Sequence, residues 1–112
     1  MKKNNQVTTH ELAELVTEMG STKKTLMLLT LFLTESELQS VTKRLQIFKL
    51  LAENTQYGEI QNSLGVSSAT VSSVAQLLKH PFSTEVLRHL AARDWATRTA
   101  RSLREWFSPL LS

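Results

Sequence analysis

Between Gly65 and Lys79 the chain carries Ser67, Ser68, Ala69, Thr70, Ser72, Ser73 and Gln76, without one ionisable side chain. Hydroxyls both donate and accept hydrogen bonds, and the methyl groups of alanine and threonine make apolar contacts. Such a set suits close recognition of another surface better than bond making. Other candidates for chemistry are sparse. His10, His80 and His89 are scattered without metal-ligand spacing, and there is no cysteine for a thiolate site. Glu35 and Glu37 stand two apart at a helix start, where they serve capping better than acid–base work. No Ser/His/Asp set, spaced carboxylate pair or glycine-rich phosphate loop is coherent. An enzyme, a metal site and a cofactor are therefore not expected.

The stretch that must position those hydroxyls is Tyr57–Leu78, which reads as two short helices around a tight turn. Ile60 and Leu64 share one face of the first. Gly65 supplies the left-handed backbone conformation that a sharp turn needs. Val66 points back to the core, Ser67 suits an N-cap, and Val71, Val74 and Leu78 face inward on the second helix. Two steeply crossing helices with one apolar seam make a helix-turn-helix, whose second helix exposes its outer face. That face is Ser68, Ala69, Ser72, Ser73 and Gln76. One position departs from the pattern. Gln61, four before the glycine, stands where alanine usually permits close helix approach.

At 112 residues the chain reads as one all-α domain, 1–112, and dimerisation would help so small a core. Residues 1–78 hold seven basic and seven acidic groups, whereas Lys79 onward holds six basic against three acidic. The whole net charge of +3 thus follows the candidate recognition helix. A basic flank beside a neutral reading surface suits phosphate anchoring. Lys2 and Lys3 precede polar residues rather than a signal-peptide core, and the apolar run Leu26–Leu33 is too short to span a bilayer. No membrane association is expected, and a cytoplasmic location is.

In chain order, residues 1–7 read as a disordered tail. Thr8 with Glu11 makes a capping box for a helix carrying Leu12, Leu15, Val16 and Met19, ended by Gly20. Ser21 caps the next helix, whose Leu26–Leu33 run has no polar face and so must be covered on every side, most simply by a second copy. Thr34 with Glu37 opens a third helix through about Ala52, with Leu38, Val41, Leu45, Phe48 and Leu51 or Ala52 inward and Lys43, Gln46 and Lys49 outward. Residues 8–52 are thus read as dimerisation helices and 56–78 as the helix-turn-helix, after the connector Glu53–Thr55. His80-Pro81 breaks the chain. Ser83 caps a final helical region, 83–108, with one stripe at Val86, Leu87, Leu90 and Ala91, another at Leu103, Trp106 and Phe107, and its end at Pro109. About six helices result.

Three pieces, Ser40–Leu45, Thr55–Ile60 and Gly65–Ser72, resemble the Trp repressor superfamily, most of all its YerC-type, Trp-repressor-like branch. The likeness covers roughly residues 10–80. It implies an intertwined all-helical homodimer that presents one helix-turn-helix per protomer to double-stranded DNA. The resemblance carries the tryptophan site over poorly. The arginine expected late in the recognition helix falls on Ser73, the small glycine beside it on Val74, and the second arginine on Lys43, with Arg44 about a quarter-turn away. Only Thr70 persists. A carboxylate without its bidentate arginine loses its strongest contact, so tryptophan is not expected to be sensed, and any small-molecule effector is unknown.

The expectation is a homodimeric DNA-binding transcriptional regulator, probable as a repressor by resemblance alone. Ser67, Ser68, Ala69, Thr70 and Ser72 would face the major groove, with Gln56, Gln61, Lys79 and Arg88 toward phosphates. Hydroxyls discriminate bases weakly, so specificity would be modest or water-mediated. The alternative is an interaction module that kept the fold without the DNA, anchored by Trp95, Trp106 and Phe107. Core packing is the plainer expectation for those aromatics.

Overall fold

Each early helix starts at a named side chain. The computed structural model describes residues 5–111, and among them are six α-helices and no strand. The expected tail lies partly outside these residues, at 1–4; Asn5, Gln6 and Val7 are exposed and non-helical. Thr8 Oγ1 accepts the N–H of Glu11 at 3.1 Å and opens α1, Thr9–Glu18. Here the box is half made, because the Glu11 carboxylate meets the Thr8 hydroxyl, at 3.4 Å, and not its backbone N–H. Gly20, at φ 73°, follows the helix end as expected. Ser21 Oγ accepts from the Lys24 N–H and opens α2, Thr22–Phe32. The Thr34–Glu37 box is complete: Glu37 N–H donates to Thr34 Oγ1 at 3.1 Å, and Thr34 N–H to Glu37 Oε1 at 2.9 Å. It opens α3, Glu35–Ala52. Both donors stabilise the charged carboxylate, which holds Glu37 below the usual carboxylate range.

The connector after α3 contains a device the sequence reading missed. Asn54 takes φ 65°, with its N–H on the Leu51 carbonyl and the Thr55 N–H on the Leu50 carbonyl, both at 3.0 Å. Those two bonds are a Schellman closure, with asparagine where glycine is commoner. α4, Tyr57–Leu64, and α5, Ser68–Leu77, follow.

The chain divides into two units, residues 1–42 and 43–112, with the boundary inside α3. The first holds α1, α2 and the start of α3. Neither α1 nor α2 buries a residue, and Leu31 and Phe32 stand 73% and 68% exposed. The second unit has a core of Ile47, Phe48, Ile60, Val71 and Val74, against which Leu50, Leu51, Leu64, Val66, Leu78, Val86, Leu87 and Leu90 pack. Burying side chains of this kind contributes roughly 1.5–3 kcal/mol each. The stripe expected on α3 is therefore corrected: Ile47 and Phe48 are buried, while Val41 and Leu45 are exposed. Periodicity gave a helix there, but α4 and α5 choose which face they cover. Lys49 also leaves the open face assigned to it, since its ammonium meets Asp94 Oδ1 at 2.9 Å, both side chains about a third exposed.

α6 runs unbroken over Ser83–Leu111, past Pro109. A proline costs one N–H bond at its own position, a loss better tolerated near a helix end than in its middle. Ser83 is not the cap expected of it. It is nearly buried, and its hydroxyl donates to the Leu78 carbonyl at 2.9 Å, closing the end of α5. The aromatics are not core: Trp95 and Trp106 are 68% and 69% exposed. The side chain of Phe107 lies outside the described residues.

Candidate nucleic-acid interface

The α4–α5 pair is built as its spacing requires. Gly65 sits at φ 64°, and the Gln61 carbonyl accepts from both Gly65 N–H, at 2.9 Å, and Val66 N–H, at 3.3 Å. A Cβ at Gly65 would meet no atom within 4 Å. The glycine is thus needed for its backbone angle and not for room. Val66 then packs on the core, and Ser67 Oγ accepts the Thr70 N–H at 3.1 Å as the N-cap of α5. Val71 and Val74 are fully buried on the inner side.

The sequence-expected contact residues fall into three groups. Ser68, Ala69 and Ser72 are exposed, and the two serine hydroxyls have no protein partner. Ser73 and Gln76 share that exposure. Ser67 and Thr70 are differently placed, because their hydroxyls lie 2.9 Å apart on one another and Thr70 is half-buried. Their first task is to start α5. Gln56, the exposed N-cap position of α4, makes no side-chain capping bond, and Gln61 is half-buried within α4.

The cations differ as well. Lys79 is exposed just past the end of α5 and forms no ion pair among the described residues. Arg88, by contrast, reaches Glu85 Oε2 at 2.6 Å, while His89 meets the other oxygen of the same carboxylate at 3.2 Å. An internal carboxylate competes with any phosphate for Arg88. The separation i, i+3 made that pairing readable from sequence, yet it was not read. His80 Nδ1 accepts the Phe82 N–H at 3.0 Å and helps shape the turn between α5 and α6.

The positions that replace the tryptophan site are also in view. Val74 is part of the packed core, and Ser73, Lys43 and Arg44 are exposed. Among the described residues, no cluster of three or more His, Asp or Glu is placed to hold a metal. No described helix is long and apolar enough to cross a membrane.

A family model described as Trp repressor protein matches residues 8–90. The chain belongs to the Trp repressor family. Searches of curated proteins and of solved structures found no match. The match supports the family and does not single out the YerC-type branch. The Trp repressor family is one of DNA-binding regulators, so the α4–α5 pair is the element through which that activity is expected to run. The family match ends at residue 90, within α6, leaving the rest of that helix outside it.

Proposed function

We propose that this Trp repressor family chain is a homodimeric transcriptional repressor of the cytoplasm that reads double-stranded DNA with α5 and does not answer to tryptophan. The observation that carries the reading is the outer face of α5. Ser68, Ala69 and Ser72 stand exposed on a helix whose inner side is locked by Val71 and Val74. A rigid, uncharged face can approach base edges without first breaking ion pairs. Ser67 and Thr70 stay at that face, their hydroxyls able to accept further bonds. Lys79 anchors on phosphate, and Gln56 and Gln61 flank the same end of the element. The dimer is supported by α1 and α2, whose apolar side chains have no cover within their unit.

The test separates positioning from reading. Replacing Ser68 or Ser72 by leucine abolishes preference for a selected site while leaving non-specific affinity nearly intact. Lys79→Gln weakens all sequences alike and lowers the log–log salt slope by roughly one unit per lost phosphate contact. Arg88→Gln has the smaller effect, because Glu85 already holds that side chain. A dimer needs half-sites about one helical turn, roughly 34–36 Å, apart. A wild-type protein without preference for any sequence would refute the reading.

Val74 in the core and Ser73 in place of an arginine support independence from tryptophan. Calorimetry at millimolar L-tryptophan is expected to show no saturable heat; a micromolar dissociation constant would overturn this part. The exposure of Trp95 and Trp106 favours a second reading, an interaction module with those indoles as anchors.

A further inference from the structure

α6 changes sides along its length. Its first half turns Val86, Leu87 and Leu90 onto the core of the second unit. At ~100° per residue, Ala92, Ala96, Thr99, Leu103 and Trp106 fall on the opposite side, at alternating spacings of four and three. Trp95 borders them, and Trp95, Leu103 and Trp106 are all exposed. Arg98 and Arg104 flank this stripe, one on each side, and Arg101 points directly away from it. None of the three arginines forms an ion pair among the described residues.

The first unit holds the complementary shape. An open groove of about 570 Å³ runs along α1, with Leu12, Leu15 and Phe32 on its apolar surface and Glu11, Glu14 and Glu18 among its lining. Glu11 and Glu18 pair with no cation there, and Glu14 meets only His10, at 3.4 Å. α1 carries no lysine or arginine at all. It offers an apolar floor ~15 Å long with an anionic rim. The far half of α6 offers an apolar stripe ~21 Å long between arginines.

We propose that residues 92–106 of α6 of one protomer lie in the α1 groove of a second copy, indoles and Leu103 against Leu12, Leu15 and Phe32, with Arg98 and Arg104 against the glutamates. Charge complementarity selects this occupant. Two α6 stripes facing one another would leave both the arginines and the glutamates unpaired, and duplex DNA would leave the apolar stripe in water. The inference rests on the homodimer reading above and extends it to a segment beyond the family match.

Reversing charge on each side separately, then mixing, tests it. Glu14→Arg with Glu18→Arg, and Arg98→Glu with Arg104→Glu, each raise the dimer dissociation constant by at least about tenfold in sedimentation. An equimolar mixture of the two restores it to within about threefold, because in a heterodimer both contacts become opposite-charge pairs. Arg101→Glu leaves the dimer unchanged. No rescue in the mixture overturns the proposal, and rescue only when all four changes share one chain would place α6 in its own groove instead. If the arginine variants leave dimerisation intact but flatten the salt dependence of DNA binding, the arginines serve phosphates and the proposal falls. Because the chain has no cysteine, Glu18→Cys and Leu103→Cys chains can also be mixed and cross-linked with a short bis-maleimide. A heterodimeric product is expected from the folded mixture, and its absence counts against the proposal even if a reversal variant misfolds. A wild-type monomer removes the dimer reading with it, whereas a wild-type dimer without rescue removes this inference alone.

Discussion

The two units of the chain bury their apolar residues to very different degrees. In residues 43–112, five side chains from α3, α4 and α5 close into a core, with α6 packed over them. In residues 1–42, α1 and α2 bury nothing, although α2 is the more apolar stretch by sequence. The difference teaches that hydrophobic content does not make a core; a second surface facing it does. One unit supplies that surface itself. The other must borrow it, and its helices rest on caps and intrahelical bonds until it does.

That contrast can be broken by mutation. Ile47→Ala, in the completed core, should cost about 2–5 kcal/mol in denaturant unfolding, at any protein concentration. Leu31→Ser, on the bare face of α2, should instead steepen the dependence of the midpoint on concentration, as loss of a partner contact does; equal effects from the two changes would dissolve the distinction. Gly65→Ala should cost roughly 1–2 kcal/mol, the penalty for a side chain at left-handed φ, since no neighbour obstructs the new methyl. Lys49→Met should change stability by no more than about 1 kcal/mol, as expected of an ion pair a third exposed.

The smallest effect belongs to Glu37. Its carboxyl is held below the usual range by the Thr34 N–H and hydroxyl. Its stabilising contribution is therefore present above the ordinary glutamate pKa and lost as pH falls through the lowered one. Glu37→Gln should flatten the acid limb of a helicity titration slightly, and a steeper limb would contradict the sign.

Most of the helices were legible because their signals are local. Thr8, Ser21, Thr34, Ser67, Gly20 and Gly65 each act on backbone within a few residues. What failed depends on distant neighbours. Ser83 looked like a cap until the Leu78 carbonyl took its proton, and Ile47 rather than Leu45 faces inward because of where α4 and α5 lie. Asn54 could be seen as a connector, but asparagine marks a left-handed residue far less sharply than glycine. On α6 the two apolar stripes were read correctly and their meaning was not: they lie on opposite sides of one helix, so a single core cannot take both. The recognition face was legible as composition, whereas the mutual bond of Ser67 and Thr70 needed coordinates.

The face of α5 has one further consequence. From Asn62 to Leu78 there is nothing to protonate and nothing for counterions to screen. If α5 reads the bases, the ratio between its preferred and random sites is set by uncharged contacts, while total occupancy is set by cations elsewhere. Changes in cellular potassium or pH would then alter how much of the protein is on DNA without altering where it sits.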